Sequence, residues 1–190
     1  MKKLILTTLI ALISLTSFAS EEVTQIIVLK DKREMQLWKG KELFKTYSVK
    51  LSLSYNNPVF RPGPKRREGD MQTPVGYYKI SKKRQNTNYP KSLLISYPNW
   101  KDRHNAKVLG IPEDEIGGMI LIHGNPFRPS PAVRAFAAKL GISEETIDQW
   151  ARDYFYPFFD WTNGCIAVSD AEMDEIFELI AKDTPINIYP

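Results

Sequence analysis

The chain has 190 residues, of which 43% are hydrophobic and 25% charged, so its composition is that of a globular domain rather than of a disordered or fibrous protein. Its 26 Lys and Arg residues against 22 Asp and Glu give a formal net charge of +4, which is too small for a dedicated nucleic-acid-binding protein. The single cysteine, Cys165, excludes an intramolecular disulfide framework and, with two histidines, leaves too few ligands for an ordinary structural zinc site.

Residues 1–19 have the pattern of a secretory signal peptide. Two lysines precede an apolar run from Leu4 to Leu15, and the small residues Ser17 and Ala19 lie at the third and first positions before the bond that follows Ala19. The run is shorter than the roughly 20 residues of a membrane-spanning helix, so we expect cleavage after Ala19 and no permanent membrane anchor. The mature chain, residues 20–190, is therefore expected to be an exported, periplasmic protein, in which an unpaired thiol is less common unless it is buried or used.

The first half of the mature chain predicts short strands. They cover residues 24–29, 34–38, 43–53, 76–80 and 93–97, and a buried strand over 119–122 ends at His123. Residues 56–70 are rich in proline, glycine and charge and predict a long surface loop.

The second half predicts helices. Val133, Phe136, Ala137 and Leu140 have helical spacing, and Ser143 is the predicted cap of a second helix that ends at Trp150. A capping box formed by Ser169 and Glu172 opens a final helix, which has Met173, Ile176, Phe177 and Ile180 on one face, and residues 186–189 form a last strand. Strands first and helices later predict one α+β, β-rich domain with a helical insertion at about residues 126–160.

The single thiol lies in a turn that suits a nucleophile. Cys165 follows Asn163 and Gly164, and a small residue before the thiol lets a substrate carbonyl approach and leaves backbone N–H groups to face an oxyanion. His123, which is followed by Gly124, is the candidate base, because an imidazole beside a thiol promotes thiolate formation. A buried structural thiol is the alternative interpretation of Cys165.

Four motifs resemble, in the same order, those of the YkuD-type L,D-transpeptidases. They are Thr73-Pro74-Val75-Gly76-Tyr77-Tyr78, Ser96-Tyr97-Pro98-Asn99, Ile122-His123-Gly124 and Thr162-Asn163-Gly164-Cys165-Ile166. The resemblance extends over nearly the whole mature chain. In papain-type cysteine peptidases the cysteine precedes the histidine, whereas here His123 precedes Cys165, which disfavours that class.

The resemblance implies a single catalytic domain of mixed β-sheets, with the helical insertion between the catalytic histidine and cysteine. In that scheme Cys165 is the nucleophile that forms a thioester with a peptidoglycan stem peptide, and His123 is the general base and acid. The carbonyl of Gly124 orients the imidazole, and the N–H groups of Asn163, Gly164 and Cys165 form the oxyanion hole. The scheme needs neither a metal nor a cofactor.

The acceptor of the acyl group distinguishes the possible reactions. An amine acceptor gives cross-linking of stem peptides, exchange of a D-amino acid or attachment of a protein to the wall. Water gives a hydrolase, which is an L,D-carboxypeptidase or releases a wall-attached protein. The expected partners are peptidoglycan stem peptides and, beyond them, a wall-attached protein or a cell-wall synthesis protein, with no nucleic acid.

Two residues depart from the family's usual motif, in which Ser-His-Gly-Cys is followed by Ile or Val and then Arg. Asn163 replaces the histidine and Ala167 replaces the arginine, so the contacts to substrate carboxylates are expected to come from elsewhere. The separation of His123 and Cys165 also exceeds the usual gap, and the helical insertion accounts for the excess.

Four residues are candidates for substrate binding. Tyr154 and Trp161 belong to an aromatic-rich stretch at the end of the insertion, where most rings are expected to be core residues and one or two to line a groove. Arg61 and Arg67 belong to a basic cluster with Lys65 and Arg66, whose charges either attract stem-peptide carboxylates or are simply solvated.

Two other functions fit the same residues less well. A non-catalytic peptidoglycan-binding domain is the first, and the changes at Asn163 and Ala167 favour it mildly. The second is a zinc hydrolase that uses His104, His123 and Cys165 as ligands, although His104 lies in a polar segment that predicts a solvated loop.

Overall fold

The computed structural model describes residues 22–52 and 63–190, and within them eight strands form one mixed sheet. The strands are β1 Gln25–Leu29, β2 Glu34–Lys39, β3 Glu42–Ser48, β4 Gly76–Gln85, β5 Lys91–Ile95, β6 Leu121–His123, β7 Ile166–Ala167 and β8 Pro185–Tyr189. The helices are α1 Trp100–Val108, α2 Pro131–Lys139, α3 Ile147–Trp150 and α4 Asp170–Leu179, with a 3₁₀ turn at Glu113–Glu115 and a π-helical turn at Ala151–Phe155.

Alternating hydrophobicity accounts for the central strands. In β1, Ile26 and Val28 are fully buried and their neighbours are only partly buried, and β2 repeats the pattern with Met35 and Leu37. Every second side chain of a strand points to the same face, so these residues line one side of the sheet. The core therefore lies on one face of the sheet.

The strand order is β3-β2-β1-β8-β4-β5-β6-β7, with antiparallel pairs except β1 with β8 and β6 with β7. The chain that follows β3 returns to the opposite edge, where Lys50 and Ala167 exchange both backbone hydrogen bonds, at 2.7 and 2.9 Å. These bonds give the short edge strand β7 a second neighbour. They also hold the candidate nucleophile's turn beside the rest of the sheet.

The predicted fold class is confirmed, and so are most of the predicted elements. Helix α4 begins with the predicted capping box, in which Ser169 and Glu172 satisfy each other's backbone N–H groups, and it buries Met173, Ile176 and Phe177. The predicted strand over 43–53 is too long. It ends at Ser48, because the following residues leave β2 and bridge to the Cys165 side instead.

Two predictions about helices are corrected. The polar segment around His104 is not a loop but helix α1, which is capped by Asn99 and Asp102 and buries only Ala106. Ala106 is its only buried residue, and its other apolar side chains, Trp100 and Val108, are exposed, so no hydrophobic face predicts this helix. The second helix of the insertion begins at Ile147 rather than after Ser143, whose hydroxyl bonds to that of Thr146 in the preceding turn.

The insertion between β6 and β7 has a small core of its own. It consists of Val133, Ala151, Phe155 and Tyr156, with Trp150 and Trp161 packed against it. Phe136 and Leu140, which share the helical spacing of Val133, are about half exposed at 45% and 56%. The described helices are all shorter and more polar than a membrane-spanning helix requires.

Candidate active site

Strands β6 and β7 bring the sequence-predicted nucleophile and base together. The two strands are parallel, and their register pairs Ile122 with Ile166 and His123 with Ala167. Cys165 therefore enters β7 beside Leu121, two positions before the partner of His123. Since alternate residues share a face, Cys165 and His123 belong to the same face of the sheet.

His123 is fully buried and has a defined tautomer. Its Nδ1 lies 2.7 Å from the carbonyl oxygen of Gly124, and because a carbonyl only accepts, Nδ1 carries the proton. Nε2 then holds the free lone pair, and it has no hydrogen-bond partner among the described residues. Burial lowers the pKa of His123 to about 4, against the opposite effect of the Gly124 hydrogen bond, so the imidazole is a neutral base at pH 7.

Aromatic rings enclose the imidazole. Tyr89 stacks on it, with ring centroids 3.8 Å apart and an interplanar angle of 21°. Trp161 meets it edge to face at 5.4 Å and packs in turn on Tyr156 at 4.4 Å. These contacts keep water from the ring and fix its plane, which is what a positioned general base requires.

Cys165 is a neutral thiol in this structure. Its Sγ accepts a hydrogen bond from the Leu121 N–H at 3.4 Å and donates to the Met119 carbonyl at 3.6 Å. Burial raises the pKa of the thiol to about 11, although the Leu121 N–H and the charge of Lys65 act in the opposite direction. The thiol is thus held by backbone groups at the start of β6 and just before it, and not by the imidazole.

Gly164 makes the close turn before the nucleophile. Its φ is +110°, and a Cβ at this position would lie 2.6 Å from the Gln72 carbonyl oxygen, so only glycine fits. Its N–H donates to the Thr162 hydroxyl at 3.3 Å, and that hydroxyl donates to the Cys165 carbonyl at 2.7 Å. Of the three predicted oxyanion-hole donors, Gly164 therefore already has a partner within the turn.

The N–H groups of Asn163 and Cys165 have a different environment. Neither donates a hydrogen bond to any residue of the described ranges. One belongs to the thiol residue and the other lies two positions before it, so they are the two predicted donors that remain for a substrate oxygen.

A partly buried ion pair, in which the Asp160 carboxylate is buried and the Arg33 side chain is 24% exposed, anchors the chain just before this turn. The Asp160 carboxylate accepts from the Arg33 guanidinium at 3.0 and 2.8 Å and from the Leu51 N–H at 2.9 Å. The N–H groups of Trp161 and Thr162 both donate to the Leu51 carbonyl at 2.9 Å. The turn that carries Cys165 is thus fixed to the turn between β1 and β2 and to the chain after β3.

The basic residues of the predicted surface loop lie in different environments. Lys65 is 8% exposed, and its Nζ donates to Asp70 at 3.0 Å and to the Arg67 carbonyl at 2.8 Å, so its charge is not solvated as a loop charge would be. Arg67 is exposed, and its backbone N–H also bonds to Asp70. Arg61 lies outside the described residues. The burial of Lys65 is not predictable from the sequence, because nothing local to a Pro-rich loop indicates it.

The two predicted aromatic contacts also differ. Trp161 touches His123 and, with Asn163 and Met71, borders an apolar cavity of about 520 Å³ beneath helix α2. Tyr154 is 65% exposed on the π-helical turn. Trp161 is therefore at the site, and Tyr154 is on the outer surface of the insertion.

The remaining candidates are simpler to place. His104 lies on the exposed side of α1, and His104, His123 and Cys165 do not come together as a group of metal ligands in the part of the chain that the structure describes. The carbonyl of Gly124 accepts the hydrogen bond from Nδ1 of His123, as the sequence predicts. A Cβ at Gly124 would lie 2.5 Å from the Asp170 carboxylate. The contact of Tyr89 with His123 is not predictable from the sequence, because no short-range pattern indicates which strand end the loop that carries Tyr89 covers.

Comparisons with known proteins identify the family of the domain. The profile of the L,D-transpeptidase catalytic domain, YkuD, matches residues 23–188. The chain belongs to this family. No curated protein sequence matches it.

Similar solved structures include the helical cell shape determining protein Pgp2 from Campylobacter jejuni, at 20% identity and a TM-score of 0.53 over 88% of this chain and 48% of that one. Bd1075 from Bdellovibrio bacteriovorus is 15% identical, with a TM-score of 0.52 over 88% of this chain and 48% of its own. An L,D-transpeptidase from Xylanimonas cellulosilytica is 12% identical, with a TM-score of 0.50 over 90% and 62%. These likenesses concern the fold, and the chain spans less than two thirds of each of these structures.

Proposed function

We propose that the protein is an exported, cysteine-dependent L,D-transpeptidase that acts on peptidoglycan stem peptides through a Cys165 thioester. The observation that carries the proposal is a buried neutral imidazole with a free Nε2, on the strand next to the turn of the single thiol. An imidazole held in one tautomer beside a thiol is the arrangement that nucleophilic catalysis needs.

In the acylation step, Sγ of Cys165 attacks the carbonyl at the L-centre of the stem peptide's diamino acid. His123 Nε2 takes the thiol proton, which requires Sγ to turn away from its Met119 contact. The N–H groups of Asn163 and Cys165 stabilise the oxyanion. When the bond to the terminal D-alanine breaks, the proton passes from His123 to the leaving amine and a thioester remains.

In the second step an acceptor releases the acyl group. Nε2 takes a proton from the attacking amine or water, the tetrahedral intermediate collapses, and the thiolate leaves and recovers a proton. An amine acceptor gives a cross-link, an exchanged D-amino acid or a protein attached to the wall, and water gives hydrolysis. Substrate contacts in this proposal come from Trp161 and from Arg67, with Arg61 and Tyr154 as the further candidates.

Acylation of the thiol tests the first step directly. The mature protein is incubated with a carbapenem, a β-lactam that acylates a nucleophilic cysteine, and its intact mass is measured. We expect one adduct on the wild type and none on Cys165→Ala. The His123→Gln variant, which keeps the thiol but lacks the base, should acylate at least about 100-fold more slowly.

Product analysis tests the second step. Wild type and Cys165→Ala are incubated with defined muropeptides, with and without a D-amino acid, and the products are separated by mass. Loss of D-alanine with a new amide bond supports the transpeptidase, and loss of D-alanine with water added supports the hydrolase. An unmodified Cys165 in the first assay and no turnover in the second would reject catalysis and favour a peptidoglycan-binding domain.

A further inference from the structure

The loop between β4 and β5 covers the base with a single aromatic ring. Tyr89 lies in this loop, and its ring is nearly parallel to the His123 imidazole at 3.8 Å. Tyr89 lies outside the two motifs that carry Cys165 and His123. Tyr89 is partly buried, so the stack excludes solvent from one face of the imidazole.

Backbone hydrogen bonds hold this loop in place on both sides. Within the loop, the Asn86 N–H donates to the Pro90 carbonyl at 3.0 Å and the Thr87 N–H donates to the Tyr89 carbonyl at 3.2 Å. Across to the segment that follows His123, the Phe127 N–H donates to the Asn88 carbonyl at 3.1 Å. The ring is therefore fixed relative to the strand end that carries the base.

The register of the sheet brings the same loop back to the base. Ser92, three residues after Tyr89, pairs directly with His123 across β5 and β6. The start of β5 and the end of β6 thus share one edge of the site. A ring fixed there acts on the imidazole plane rather than on the general stability of the sheet.

We propose that Tyr89 is a positioning residue for the base: its ring fixes the plane of the His123 imidazole and excludes water from that face. One Nδ1 hydrogen bond fixes the imidazole along a single direction but lets it turn about that direction, and the stack removes this freedom. The inference rests on the proposed function in that it assigns His123 the role of base. The ring, and not the hydroxyl, carries the role.

The groups around the imidazole make the effect measurable. Two ionisable neighbours are Tyr89 from the β4–β5 loop and Cys165 from the turn before β7. Both are neutral at pH 7, because the ordinary pKa of a phenol and of a thiol lies above 7 and burial raises it further. Burial is also the main cause that lowers the pKa of His123, with the Gly124 hydrogen bond opposing it. Opening one face of the ring to water should therefore raise the pKa of His123 towards the ordinary 6.5.

The test combines NMR titration with kinetics on wild type, Tyr89→Phe, Tyr89→Leu and Tyr89→Ala. The chain has two histidines, and His104→Gln assigns the exposed one, so the ¹⁵N-imidazole signals of His123 can be followed with pH. We expect Tyr89→Phe to keep the wild-type titration, and the Leu and Ala variants to raise the midpoint by about one pH unit or more. In turnover, the Leu and Ala variants should lose about 10-fold or more in kcat with KM changed less than about 3-fold, while Phe retains kcat.

Each outcome has a definite meaning. A wild-type titration and kcat in Tyr89→Leu overturn the proposal, and so does a Tyr89→Phe variant that behaves like Tyr89→Ala, because the hydroxyl would then carry the effect. Tyr89→Leu keeps an apolar side chain at this position if the alanine variant does not fold. If the wild type neither acylates nor turns over, the proposed function fails, but the NMR titration still decides whether Tyr89 controls the environment of His123.

Discussion

Because His123 is buried and neutral, the protein should lose stability in acid. Replacing His123 by Gln should remove this part of the loss. The pKa of the imidazole is about 4 in the folded state and 6.5 when it is exposed in the unfolded chain. Between these two values the unfolded state binds more protons, so the free energy of unfolding falls as the pH falls from 6.5 through 4. The stability contributed by the neutral, buried ring is present at pH 7 and lost in this window.

The two pKa values set the size of the effect. Each pH unit between them is worth about 1.4 kcal/mol, so the loss from this one group amounts to about 3 kcal/mol by pH 4. Carboxylates contribute in the same direction. For example, burial opposes ionisation of Asp70, but hydrogen bonds from Arg66, Arg67, Gln72 and Lys65 hold its pKa below the usual range. The contribution of His123 must therefore be measured as a difference.

Urea unfolding followed by circular dichroism, on wild type and His123→Gln at several pH values from 7 to 4, gives that difference. We expect the wild type to lose about 3 kcal/mol more than His123→Gln over this range, whatever the offset between the two proteins at pH 7. His104→Gln, which removes the exposed imidazole of helix α1, is the matched control. Curves for wild type and His123→Gln that run parallel within about 0.5 kcal/mol would refute the burial of a neutral imidazole.

Three further predictions concern the turn that carries the nucleophile. Gly164→Ala, whose Cβ would meet the Gln72 carbonyl at 2.6 Å, should lower the free energy of unfolding by about 2 kcal/mol or more and abolish acylation, whereas Gly118→Ala, whose nearest contact is 3.9 Å, should do neither in the same urea and mass assays. Alkylation of Cys165 by iodoacetamide at pH 8 should be about 100-fold slower than that of an exposed cysteine and should accelerate up to pH 11; a rate equal to that of a free thiol contradicts the raised pKa. Asp160→Ala leaves the Arg33 guanidinium without this carboxylate and should cost about 3 kcal/mol in urea unfolding, and a cost below about 1 kcal/mol would mean that the ion pair does not anchor the turn.

Local patterns were sufficient for much of the fold. Alternation in β1 and the capping box of α4 each depend on residues within a few positions of one another, and both elements are where the sequence predicts them. Helix α1 has no such pattern, because its cap is local but its hydrophobic face is a single alanine, Ala106. The early end of β3 depends on a bridge between Lys50 and Ala167, which are far apart in the chain.

The candidate site also has some features that follow from local sequence patterns and others that depend on long-range contacts. His123 and Cys165 are predictable, because each lies in a short motif and the two motifs come in the family's order. The groups that set their chemistry are not, since Tyr89, Lys65 and the Met119 carbonyl reach the site from other loops through long-range contacts. A sequence motif therefore identifies the candidate reacting groups, whereas their protonation states follow from how the rest of the chain surrounds them.

Those protonation states constrain how the reaction can start. A thiol with a pKa of about 11 beside an imidazole with a pKa of about 4 transfers its proton at a cost on the order of 10 kcal/mol, before any attraction between the resulting charges is counted. A preformed thiolate–imidazolium pair is thus negligible at rest. In the proposed reaction, proton transfer to Nε2 would therefore accompany attack on the carbonyl, with the N–H groups of Asn163 and Cys165 as the proposed donors to the new oxyanion. Oxidants react with thiolates rather than thiols, so the same burial that disfavours the thiolate of Cys165 also lowers the reactivity of this cysteine towards oxidants.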